Sequence, residues 1–132
     1  MCLNGEFNLI PYNNAVGYGW KIFMKQRNRQ LNFSYYLYNG NSIAPVNKWL
    51  KTNPNEKIMS STGEKYPGGF HIYTNLNNAR RICNSLGTID AVIRKVKYKG
   101  IKVIGEEDEE DGHIVIIVAR EMLILSRCEV PI

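Results

Sequence analysis

Cysteine is scarce and poorly placed for cross-linking: Cys2, Cys83 and Cys128 are three, an odd number, spread along the chain. That spacing excludes a disulfide framework and the Cys-x-x-Cys pattern of common zinc sites. Histidine is scarcer still, with only His71 and His113. No His or Cys pair has ligand spacing, so neither a metal nor a cofactor is expected. No apolar run approaches the roughly 20 residues of a membrane helix. No basic-then-apolar leader opens the chain, so a soluble, reduced, cytoplasmic protein without a membrane partner is expected. Acids are also scarce over most of the length. Residues 1–99 hold fourteen Lys/Arg against four acids, a net of +10, while residues 100–132 hold three against eight, a net of −5. Such asymmetry suits a nucleic-acid or acidic-partner surface, and equally two solvated regions that attract each other.

What is present is ordinary for a globular chain: 44% hydrophobic and 22% charged residues, with eight Tyr, four Phe and two Trp to fill a core. A length of 132 residues suits one domain over 1–132 that needs no staples. Frequent Asn, Lys and Ile fit AT-rich coding, as in many viruses and phages and some bacteria.

The best-specified stretch is 66–87. Pro67-Gly68-Gly69 makes a turn, 70–74 alternates as a strand, and Thr74 or Asn75 caps a helix over 75–86. Leu76, Ala79, Ile82, Cys83 and Leu86 share one face of that helix, and Gly87 stands where a C-terminal glycine belongs. Before it, 1–17 reads as irregular, 18–25 and 31–38 as a strand hairpin, and Asn39-Gly40-Asn41 as a turn. A short helix is predicted near 45–51, and the polar stretch 51–69 is long enough to carry function. After it, 88–99 reads as a strand with a bulge near Arg94-Lys95, and Gly100 breaks it before a short strand at 101–104. Residues 113–119 suit a strand buried on both faces, and 122–125 a last edge or bent strand. The fold class is therefore α+β, a mostly antiparallel twisted or split sheet of about six strands with one main helix.

Four groups of residues invite chemistry. Glu106, Glu107, Asp108, Glu109, Glu110 and Asp111 form an acidic run without calcium-loop spacing. It reads as a solvated hairpin loop, an acidic lure for a basic partner, or a flap over the chain's own basic face. Lys21, Lys25, Arg27, Arg29, Arg94, Lys95, Lys97 and Lys99 lie on or beside strands rich in aromatics, the combination that single-stranded nucleic-acid binders use, although aromatics at strand positions also suit a core. Cys83 with His113 is formally a nucleophilic pair, but Cys83 falls on the apolar helix face, where an inert thiol is expected. Lys21, His71, Tyr73, Asn75, Arg80 and Arg81 gather around a predicted helix start that suits phosphate, with the arginines equally at home on a solvated helix face.

Three resemblances bear on these residues. Gly19-Trp20-Lys21-Ile22-Phe23, Gly69-Phe70-His71 and Ala119-Arg120-Glu121-Met122, with the Met-Cys-Leu start, resemble a class of small uncharacterised proteins of phages, large DNA viruses and bacteria. That start also resembles the Met-Cys-Gly opening of much larger N-terminal-nucleophile amidotransferases, in which the amine of a residue such as Cys2 activates its own thiol. The run from Gly69 to Ala79 is similar to the middle strand and helix of the split ADP-ribosyltransferase sheet. There the first strand should supply His or Arg and a Glu should head the apolar strand; this chain has Trp20-Lys21 and Gly112-His113, with Glu110 nearest. The resemblance therefore implies a binding descendant, with a degenerate transferase using His71 or His113 and Glu110 as the rival. The expectation is a non-enzymatic binding or accessory protein, viral or phage-encoded, whose partner is a host macromolecule such as a host protein, or a nucleotide-like ligand. A basic single-stranded nucleic-acid binder stands as a further alternative.

Overall fold

The computed structural model describes residues 3–27, 30–33, 42–60, 62–109 and 112–130. Cys2, Arg29, the 34–38 part of the second expected strand, the Asn39-Gly40-Asn41 turn, Glu110 and Asp111 lie outside them. Along the described chain run β1 (Phe7–Leu9), β2 (Val16–Lys25), β3 (Leu31–Phe33), β4 (Trp49–Lys51), β5 (Lys57–Met59), β6 (Lys65–Pro67) and β7 (Phe70–Tyr73). Helix α1 (Leu76–Ser85), β8 (Ala91–Glu109) and β9 (Gly112–Val130) follow. The fold is α+β with one helix, and every strand pairing is antiparallel. The described residues form nine strands, more than the six expected. Three of the additions, β1, β5 and β6, lie in segments whose polarity reads as loop.

The organising element is the β8–β9 hairpin, each strand nineteen residues long. β8 also pairs with β2, β2 touches β7 through Trp20 and Tyr73, and β7 pairs with β9. The sheet thus returns on itself as a ring. Ring closure demands bending, and the bend is local: Gly100 sits mid-strand at φ 76°, with register shifts at Arg94/Val96 and Ile101/Val103. Glycine alone takes that angle at no steric cost. The expected break at Gly100 is instead a bend within one strand. Near Arg94-Lys95, where a bulge or bend is expected, the register with β9 shifts between Arg94 and Val96, while the ladder to β2 runs unbroken through both residues.

Alternation then builds two cores, because residues opposite each other in a ladder share a face. Inside the ring lie Phe23, Phe70, Ile72, Val96, Met122 and Ile124. On the outer face lie Ile22, Tyr73, Ile93 and Val118, covered by Ala79 and Cys83 of α1 and by Tyr66 of β6. The helix is held as the sequence predicts. Asn75 Oδ1 accepts from the Asn77 and Asn78 N–H groups at 2.9 and 3.2 Å, and Gly87 at φ 67° follows the C-cap Leu86.

Two expectations are corrected. The short helix near 45–51 is a bend leading into β4: Asn47 has φ 58°, which ends any right-handed turn, and its N–H donates to the Ile124 carbonyl at 2.9 Å. Trp49, Leu50 and Lys51 pair with Leu123, Met122 and Glu121. The acidic loop is mostly strand: Glu106, Glu107, Asp108 and Glu109 continue β8 opposite Val115, Ile114, His113 and Gly112. Backbone pairing with the apolar β9 extends the ladder through the charged run. Glu106 is held from its other edge too, by backbone bonds to Gly5 and Glu6 of 3.0 and 2.9 Å. Glu106 and Glu107, as neighbours along the strand, point to opposite faces, which eases their repulsion.

Candidate nucleic-acid interface

The groove expected around Lys21, His71, Tyr73, Asn75, Arg80 and Arg81 does not form. β7 lies between β2 and β9 with a core on each face, so His71 and Tyr73 are 4% and 1% exposed. Both His71 ring nitrogens are engaged, Nδ1 donating to the Gly69 carbonyl at 3.2 Å and Nε2 accepting from the Tyr66 hydroxyl at 2.8 Å. The carbonyl can only accept, and the Tyr66 oxygen also accepts from the Leu3 N–H at 3.1 Å, which fixes both donors. Burial first, and then the Lys21 charge, push the imidazole pKa down to about 3. Asn75 spends its side chain on the first helical N–H groups, leaving those donors no phosphate to seek. Arg80 and Arg81 lie further along the helix, Arg81 exposed. Burial raises the Cys83 thiol pKa, as its place on the apolar face predicts. His113 instead lies beside Glu106, Nδ1 to Oε2 at 3.4 Å.

Lys21 meets His71 for a structural reason. Beyond the Trp20–Tyr73 pair, β2 and β7 part, and the Lys21 amine donates to the freed His71 carbonyl at 2.8 Å. Desolvation lowers its pKa to about 8. A lysine pKa lowered in the folded state penalises folding while the group is charged, so stability should rise by about 1–2 kcal/mol between pH 7.5 and 9.5. Urea midpoints at these two pH values test this: Lys21→Gln should remove the rise, and an unchanged rise in the variant would assign it elsewhere.

A different surface gathers charge and aromatic rings. α1 packs against the part of β2, β7 and β8 that carries Ile22, Tyr73, Ala91 and Ile93 on the outer face. Beyond it, four adjacent strands present an open patch whose rows follow from register. Trp20 lies opposite Lys95. In the next row Tyr18 lies opposite Lys97, then Leu123, then Trp49; in the last, Val16 lies opposite Lys99, then Glu121, then Lys51. Tyr18 is 54% exposed and Trp49 38%. Lys95 Nζ lies 5.0 Å and Lys97 Nζ 5.7 Å from the Tyr18 ring centroid. The inward partners, Gly17 and Gly19, let the wall close on its core, since a Cβ on Gly17 would meet the Tyr98 hydroxyl at 2.5 Å and one on Gly19 the Ile72 methyl at 2.4 Å.

Lys95, Lys97 and Lys99 belong to the basic set that the sequence singles out. Tyr18 and Trp49 were legible only as strand and anchor residues, because their surface location depends on where α1 stops. Clefts open elsewhere among the described residues. One of about 490 Å³ is lined by Asn4, Glu6, Phe7, Thr62 and Glu64, and one of about 1140 Å³ by Lys25, Arg27, Gln30, Ile43, Ile89 and Asp90 among others. Neither is lined by any of the six residues of the expected groove. Among the described residues no group of three His, Cys, Asp or Glu could hold a metal, and no helix is long and apolar enough to cross a membrane. Comparison with family models, curated proteins and solved structures finds no match.

Proposed function

We propose that this chain is a non-enzymatic binding protein whose ligand is a single-stranded nucleic acid, taken on the open face of β2, β8, β9 and β4. The observation that carries the reading is the row Tyr18, Lys97, Leu123, Trp49, flanked by Lys95 and Lys99: two exposed rings on one sheet surface with a line of ammonium groups between them. Bases stack on aromatic faces whatever their sequence, and lysines along the path neutralise phosphates. Three interstrand steps set the two rings about 14 Å apart, a span that a splayed strand crosses and a stacked duplex does not fit. The degenerate transferase reading finds less support, because both His71 nitrogens are already bonded inside the core.

Fluorescence anisotropy with a labelled 15-nucleotide single strand tests the proposal. Tyr18→Ala and Trp49→Ala should each weaken binding about tenfold or more, given about 1–3 kcal/mol per stacked base. Their thermal midpoints should barely move, since both rings are exposed. Absence of saturable binding by the wild type, or affinity indifferent to both truncations, would overturn it.

A further inference from the structure

One residue of the open face has the wrong sign for a phosphate track. Glu121 is the one carboxylate among the described residues of these rows, with a side chain only 15% exposed. Lys51 Nζ stands 4.0 Å and Arg120 Nε 3.9 Å from its oxygens. These are ion-pair distances, too long for hydrogen bonds. No described residue donates a direct hydrogen bond to its carboxylate, and neither oxygen is sealed from solvent without a partner. Two cations thus hold a charged acceptor in place while leaving its lone pairs open.

Position decides what could use that acceptor. Trp49 lies opposite Leu123, so Glu121, two residues back on β9, is the diagonal neighbour of Trp49 on the same face. Diagonal neighbours in an antiparallel pair lie about 7–8 Å apart, within reach of an aromatic and a long side chain. A base stacked on the Trp49 ring would turn its polar edge toward the Glu121 carboxylate. A phosphate there would be repelled.

We infer that Trp49 and Glu121 form a base-reading subsite that selects nucleobases carrying an exocyclic amine, and so prefers cytosine to thymine or uracil. This rests on the nucleic-acid reading of the same face and adds its specificity. An ionised carboxylate only accepts hydrogen bonds. Cytosine offers its N4 amine as a donor where thymine and uracil present the O4 acceptor, which the carboxylate would repel. The two pyrimidines have similar stacking area, so a difference between them reports the edge contact.

Anisotropy titrations with labelled 12-nucleotide oligo-dC and oligo-dT, for the wild type, Glu121→Gln and Glu121→Asp, make the test. The wild type should bind oligo-dC about tenfold more tightly, as one charged contact warrants. Glu121→Gln, whose amide both accepts and donates, should bring the two within about threefold. Glu121→Asp, which keeps the charge but withdraws it by one methylene, should also shrink the preference. Equal wild-type affinities, or a preference that survives both substitutions, would overturn the inference while leaving nucleic-acid binding intact. Failure of both oligonucleotides to bind would overturn the broader reading and this one with it.

Discussion

At pH 5 the folded state is expected to be about 2 kcal/mol less stable than at pH 7, and at pH 4 about 3 kcal/mol, through His71 alone. Its folded pKa is about 3, against an ordinary 6.5. Below pH 6.5 the unfolded chain therefore binds a proton that the folded chain refuses, and stability falls with acid until pH 3 is reached. The refusal is structural. Nε2 already accepts a hydrogen bond from the Tyr66 hydroxyl, Lys21 holds a positive charge against the same strand, and the ring is buried. Urea unfolding at pH 7, 6, 5 and 4 measures the slope. His71→Gln keeps an acceptor near Tyr66 and has no proton to gain, so it should start lower at pH 7 by about 1–2 kcal/mol. It should then lose little more between pH 6.5 and 5. Most carboxylates titrate below that interval, which isolates the imidazole. A His71 ring titrating near 6.5 by NMR, or an unchanged slope in the variant, would refute this account of the core.

The same histidine marks where the sequence stops being informative. The alternation of Phe70, His71, Ile72 and Tyr73 is legible, and it correctly divides these side chains between two faces. Alternation says nothing of whether the second face meets water. That depends on α1 and the β5–β6 hairpin folding over it, which are long-range packing events with no local signature. The helix itself was legible to within a residue at either end, because Asn75 and Gly87 fix it chemically. β4 was not legible: a Pro45 start and apolar Trp49-Leu50 suit a helical turn as well as a strand, and only pairing with β9 decides. Charge disfavours strands, so composition alone makes Glu106 to Glu109 a loop, yet an apolar partner strand supplies enough ladder to overrule composition. The basic strip was visible as Lys95, Lys97 and Lys99 at period two. What the sequence could not show was its place beside Tyr18, which needs the β2–β8 register.

Reversing that strip is expected to cost the most affinity of any change on the open face. Lys95→Glu with Lys97→Glu removes two phosphate partners, sets two like charges against the strand, and strips Tyr18 of both its cation contacts. Binding to a 15-nucleotide single strand should weaken at least a hundredfold at moderate salt. The dependence of log K on log salt should flatten by about 1.4, since each phosphate neutralised on a single strand contributes about 0.7. Folding should be nearly unaffected, because the lysines lie on the uncovered half of the face and make no ion pair with described acids. The decisive comparison is Lys57→Glu with Lys65→Glu, which changes net charge equally on the separate β5–β6 hairpin. If attraction were general, both doubles would lose affinity alike, because distant charges act through the field of the whole molecule. If the face is the site, the hairpin double should lose only a fewfold and keep its salt slope, since short-range contacts release counterions and remote charges do not. Equal losses in the two doubles would remove the face from the mechanism and leave only a basic protein near an acidic polymer.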